Sequence, residues 1–110
     1  LIAPISAFAA PTPQEDAAIE HLIVAVKSSN MEFVRNGSTY DAADAARHIA
    51  MKYAYAKDRL STADQFIDHV ASTSSFTGRP YMIRHPDGTE TPVSGWLHEE
   101  LNKYRQSQKT

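Results

Sequence analysis

Residues 41–60 read DAADAARHIAMKYAYAKDRL, and their spacing decides what kind of fold the chain can adopt. Asp41 stands in a helix N-cap position and Asp44 in the first turn, where the macrodipole favours an acid. Ala42, Ala45, Ala46, Ile49, Tyr53, Ala56 and Leu60 then recur three or four residues apart, the period of one buried helical face. Most of that face is alanine, so another helix or a hairpin must approach it closely. A second row beside it, Asp44, His48, Lys52, Tyr55 and Arg59, is polar or amphipathic. It reads either as a solvated flank with i,i+4 pairs such as Asp44 with His48, or as a stripe that meets a partner.

Towards the N-terminus, Thr12-Pro13-Gln14-Glu15 is a capping box with proline at the first helical position, where its missing N–H is harmless. Ile19, Leu22, Ile23 and Val26 continue at helical spacing until Ser28-Ser29-Asn30 stops them. Between the two helices, Met31 to Val34 and Thr39-Tyr40 flank Arg35-Asn36-Gly37-Ser38, whose Asn-Gly pair signals a tight hairpin turn. Towards the C-terminus, Ser61 reads as the cap of a third helix, with Asp64 near its start and Phe66, Ile67, Val70 and Ala71 on its buried side. A Ser/Thr-rich loop follows over residues 72–80. Tyr81 to Arg84, a His85-Pro86-Asp87-Gly88 turn and Thr89 to Thr91 form a second hairpin candidate, with Pro92 at its end or edge. Ser94 reads as the cap of a last helix with Trp96, Leu97, Leu101 and Tyr104 inward and Lys103 and Arg105 in its last turn; residues from Gln106 read as frayed. The expected fold is α+β and mainly helical: about four helices with one or two short β-hairpins in a single compact domain over residues 10–110.

Composition agrees. The chain has 110 residues, 42% apolar and 22% charged, enough for one modest core. A net charge of −2, with no polybasic run, offers no field to hold a phosphate backbone, which argues against nucleic acid. The absence of cysteine removes disulfide scaffolds, thiolate zinc sites and thiol nucleophiles. Leu1 to Ala9 is an apolar, small-residue stretch closing on Ala7-Phe8-Ala9, the A-x-A pattern of a signal-peptidase site. The expectation is the remnant of an export signal over residues 1–9, cleavage after Ala9 and a periplasmic protein. No apolar run approaches the ~20 residues that span a bilayer.

Motifs that carry chemistry are missing. There is no G-x-S-x-G elbow, H-E-x-x-H, P-loop or G-x-G-x-x-G. His21, His48, His69, His85 and His98 fall at no i,i+3 or i,i+4 spacing, so no single helix supplies a metal pair. No metal or cofactor is expected. A serine hydrolase would need Ser74 or Ser75 as nucleophile, His48 as base and Asp44 to orient it, a set that residue types permit but only geometry can establish. Most acids sit at helix first turns or on exposed helix faces rather than as a glycosidase pair. The binding elements are two polar loops. Arg35-Asn36-Gly37 sets a guanidinium beside a tight turn, and Ser74, Ser75, Phe76, Thr77, Gly78 and Arg79 combine hydroxyls, an aromatic and a second guanidinium. With His48, Lys52 and Tyr81 they form the candidate partner-binding set. The expected function is non-catalytic: binding and inhibition of another envelope protein, such as a peptidoglycan hydrolase. An envelope ligand- or glycan-binding module is the alternative, and a small serine hydrolase the third.

A family resemblance runs through the same residues. Phe33-Val34-Arg35-Asn36-Gly37, Tyr40, Ala45-Ala46, His48, Lys52, Thr62-Ala63, Phe66-Ile67, Ser74-Ser75, Thr77-Gly78, Pro80-Tyr81 and Trp96-Leu97 resemble, in this order, the YfeK-like family of small exported bacterial proteins. The resemblance covers roughly residues 20–105. It implies an envelope location but no activity, since the function of that family is unknown. Many of its members carry a cysteine just before the phenylalanine of the first hairpin and another in the second. Here those regions hold Met31 and His85, which implies a lost disulfide. In kind, the chain is also similar to the small periplasmic immunity proteins paired with peptidoglycan-degrading effectors of type VI secretion, which share its size, its export signal and its lack of catalytic motifs.

Overall fold

The Thr12 hydroxyl accepts the Glu15 amide at 3.2 Å and Pro13 takes the first helical position, so α1 runs Pro13–Ser28 and ends where the serines begin. The structure, a computed structural model, describes residues 10–109; the export segment read at residues 1–9 lies outside them. Helix α1 buries Ala18, Ile19, Leu22 and Val26. The capping box is only half formed. Instead of turning back on its own helix, the Glu15 carboxylate accepts the Ala63 amide at 2.8 Å and an Arg105 N–H at 3.4 Å, tying α1 to the third and fourth helices.

Strands β1 (Glu32–Arg35) and β2 (Ser38–Tyr40) pair antiparallel around Asn36 and Gly37, both at positive φ (51° and 84°), as the Asn-Gly signal requires. Helix α2 (Ala42–Ala56) is capped by Asp41, whose carboxylate accepts the Asp44 amide at 2.8 Å. Its alanine face admits α1 closely. A 3₁₀ turn, Lys57–Arg59, carries the chain to buried Leu60.

The third helix departs from expectation. Thr62, not Ser61, caps it, because the Thr62 hydroxyl is the one that accepts the Gln65 amide, while the Ser61 amide is itself taken up by the Gln65 side chain. Helix α3 (Ala63–Phe66) widens after one turn into a π-helical turn, Ile67–Ala71. Both parts are buried through Ala63, Phe66, Ile67, Val70 and Ala71. Strands β3 (Met82–Arg84) and β4 (Glu90–Pro92) form the second hairpin around Gly88 at φ 90°. Helix α4 (Val93–Ser107) starts directly after Pro92, so Ser94 lies inside its first turn rather than capping it, and the helix ends at Ser107, two residues into the segment expected to fray.

The two hairpins merge. β1 pairs antiparallel with β3, giving one four-stranded sheet of order β2-β1-β3-β4, with proline confined to edge strand β4. The core lies where α1, α2, α3 and α4 meet the Phe33 and Ile83 face of that sheet; Ile19, Leu22, Phe66, Ile67 and Leu97 are wholly buried there. The fold is α+β, mainly helical. Among the described residues no helix is long and apolar enough to cross a membrane.

Candidate functional site

Two polar groups come together where α2 faces the first hairpin. The first forms because α2 does not leave its second row in solvent. His48 and Lys52 are half-buried, while Tyr55 of the same row is 80% exposed. Lys52 donates to the Thr73 carbonyl at 2.9 Å and to the Tyr81 hydroxyl at 3.0 Å. The Tyr81 hydroxyl also lies 3.3 Å from His48 Nε2, with the rings edge to face. Tyr81 is buried, since its backbone bridges Ser72 and Val93 just ahead of β3. Asp44 pairs with Arg47, one helical turn on, and not with His48.

Arg35 closes this group from β1. It donates to the Tyr40 hydroxyl at 3.0 Å, its guanidinium carbon 5.1 Å from that ring's centre. Burial, then the Arg35 and Lys52 charges, hold His48 below its ordinary pKa. Burial, then Arg35, lowers Lys52. Burial raises the Tyr81 hydroxyl. A neutral His48 accepting from Tyr81, which in turn accepts from Lys52, satisfies all three groups. Beside them opens a cleft of about 370 Å³, walled mainly by apolar atoms of Phe33, Val34, Ala45, Ile49 and Met51, with Arg35, Arg47 and His48 among its lining.

The second group is the Ser74–Arg79 loop. Asn36, exposed on the first hairpin turn, donates to the Ser74 hydroxyl at 3.0 Å and accepts from the Thr77 hydroxyl at 2.8 Å. Within the loop, the Ser74 amide donates to the Arg79 carbonyl and the Gly78 amide to the Ser74 carbonyl, both at 2.9 Å; Gly78 has φ 73°. The Ser74 hydroxyl also receives the Phe76 and Thr77 amides at 3.3 and 3.4 Å, and Thr77 receives the Arg79 amide at 3.1 Å. Ser74 is buried by this network; Ser75, Thr77 and Arg79 are exposed, and Phe76 is 95% exposed. The two groups touch through chain neighbours, Arg35 with Asn36 and Thr73 with Ser74.

The candidate set therefore divides: Arg35, His48, Lys52 and Tyr81 at the cleft, Asn36, Ser74, Ser75, Phe76, Thr77 and Arg79 at the loop. No hydrogen bond joins His48 to Ser74 or Ser75, and Asp44 does not orient His48, so the structure does not assemble that triad. Sequence reasoning missed Tyr40, Arg47 and Met51 as cleft residues. Tyr40 carried a signal, an aromatic on the far arm of the Asn-Gly hairpin, diagonal to Arg35 on the same face because it pairs with Phe33. Arg47 and Met51 carried none, because cleft walls are made by tertiary packing. Among the described residues no three His, Asp or Glu side chains are grouped to hold a metal ion. His98 spans Asp64 and Asp68 at 3.7 and 3.0 Å, and Asp64 is shared with Arg105.

Residues 13–105 match the family described as a family of unknown function, DUF5329. The chain belongs to this family. It is 38% identical over 82 residues to the uncharacterized protein YfeK of Salmonella typhimurium strain LT2, an alignment covering 74% of this chain and 68% of that protein. No solved structure matches the chain. Of the residues that carry the YfeK-like resemblance in this DUF5329 chain, the fold gathers Arg35, Asn36, Tyr40, His48, Lys52, Ser74, Thr77 and Tyr81 at the cleft and the loop beside it.

Proposed function

We propose that this protein is a non-catalytic protein of the periplasm that docks on another envelope protein through the Ser74–Arg79 loop and blocks it. The observation that carries the reading is Phe76, 95% exposed on a backbone already fixed by hydrogen bonds. So exposed a phenylalanine buries almost no surface in the fold, whereas an aromatic on a fixed backbone has only its side-chain freedom to lose on binding and can anchor an interface. Arg79 stands three residues away with its charge in solvent. A peptidoglycan hydrolase suits the loop because its sugar cleft presents carboxylates, and a guanidinium meeting one of them away from water adds roughly 1.5–3 kcal/mol. The likeness in kind to immunity proteins against type VI secreted hydrolases and the export expectation for residues 1–9 support this reading.

The test is clearing of a peptidoglycan suspension by hydrolases from an envelope extract, with purified protein added. Wild type slows clearing; Phe76→Ala and Arg79→Glu weaken that inhibition at least tenfold. If wild type leaves clearing unchanged, or both variants inhibit as wild type does, the proposal fails. A ligand-binding module is the second reading, and the cleft is the observation that favours it.

A further inference from the structure

We infer that the cleft between α2 and the first hairpin binds a small amphipathic carboxylate: a single aliphatic chain of medium length ended by a carboxylate. The body of the ligand follows from the walls. They are mainly apolar, and about 370 Å³ sits at the low end of the range of small-ligand pockets, room for one chain and not for a two-chain lipid. Met51, 53% exposed at the rim, extends the apolar surface outward along α2.

The head follows from charge. Arg35 and His48 line the cleft, and Lys52 lies behind Tyr81. Among the described residues none of the three has a carboxylate within ion-pair distance. Asp44, the acid in the cleft lining, is taken by Arg47. The Arg35 and Lys52 cations, gathered without a counterion beside neutral His48 and an apolar wall, leave an electrostatic cost that a bound anion removes. Burial first, and then the Arg35 charge, lowers the pKa values of both His48 and Lys52, so positive potential adds to the desolvation there. Arg35 spends one of its N–H donors on Tyr40, and that contact holds the guanidinium plane while its other donors stay available for a two-point contact with a carboxylate.

Isothermal titration of the purified protein with decanoate tests the inference, with decanol, decylamine and acetate as controls that lack the anionic head, reverse it or lack the chain. Decanoate binds saturably, at least tenfold tighter than any control. Arg35→Gln weakens it at least tenfold, and Ala45→Leu, which fills the cleft, does the same with an unchanged amide NMR fingerprint elsewhere. Phe76→Ala binds decanoate as wild type does, which separates this site from the docking loop. No decanoate binding, equal binding of decanol or decylamine, or an Arg35→Gln variant that binds like wild type would each overturn it. So would a short peptide with a free C-terminus that binds where decanoate does not.

Discussion

Asp16 and Tyr53 illustrate what a single contact contributes. The Tyr53 hydroxyl donates to Asp16 at 2.6 Å across the α1–α2 contact. That bond, followed among the favourable influences by the Lys57 charge, holds the Asp16 carboxyl below its ordinary value against the opposing effect of burial. A carboxylate with a depressed folded pKa stabilises the fold above its unfolded pKa, and the contribution disappears as pH falls through the folded value. Tyr53→Phe therefore costs about 1 kcal/mol near neutral pH. In urea unfolding, the gap between wild type and variant is full above the unfolded aspartate value of about 3.9 and closes as pH falls from there through the folded value. His48 has the opposite sign of dependence from a paired histidine. It faces Arg35 on β1, Tyr40 on β2, Asp44 and Lys52 on its own helix, and Tyr81 ahead of β3, and its folded pKa is lowered, by burial first. The unfolded chain takes up this proton first, so stability declines as pH drops from about 6.5 to the folded value and no further. An NMR titration of the His48 ring should give a midpoint below 6.5, and His48→Gln should remove that part of the decline.

Among the elements, the strand pairing β1–β3 has the largest consequence, because it joins two hairpins nearly fifty residues apart. Its register sets Glu32 opposite Arg84, and one further step in the same antiparallel register sets Met31 opposite His85. Directly opposed residues have Cα atoms about 4.5–5.5 Å apart, inside the roughly 4.4–6.8 Å that a disulfide spans. These are the two regions where the YfeK-like family is expected to carry cysteines, so the pairing gives the implied lost disulfide a place. The double variant Met31→Cys/His85→Cys should oxidise in air to a single intramolecular bond. Closing a loop of that length should stabilise the fold by about 2–4 kcal/mol, seen as a higher thermal midpoint that dithiothreitol reverses. A double variant that stays reduced, or crosslinks only between molecules, would show that the register does not extend to that pair. The helices were more legible. Asp41, Thr12 and the Asn36-Gly37 turn act within a few residues of chain and could be read directly. Ser61 yields its cap to Thr62, which offers the same local chemistry, while α4 starts straight from edge strand β4 at Val93 with no side-chain cap, so Ser94 falls inside its first turn.

For the whole molecule, stability concentrates where the helices meet around Phe66. It is fully buried and stands edge-on to Tyr53, ring centres 5.4 Å apart. Phe66→Ala should cost about 3–5 kcal/mol, a large share of the ~5–15 kcal/mol typical of a small domain, and thermal unfolding monitored by circular dichroism would measure it. A loss under 1 kcal/mol would mean that the helices pack independently. The sequence by itself determined the helix and turn positions, the buried face of each helix and the α+β class, because capping, glycine conformation and 3.6-residue periodicity are local properties of the chain. It also marked Arg35, Asn36, His48, Lys52, the 74–79 loop and Tyr81 as residues richer in polar function than a solvated surface needs. Only the tertiary structure decided that His48 and Lys52 turn towards Tyr81, that Asn36 locks the Ser74 loop from 38 residues away, and that an apolar cleft opens beside them. Those arrangements depend on which faces of separate elements are brought into contact, and contact between distant segments leaves no period in the chain that forms it.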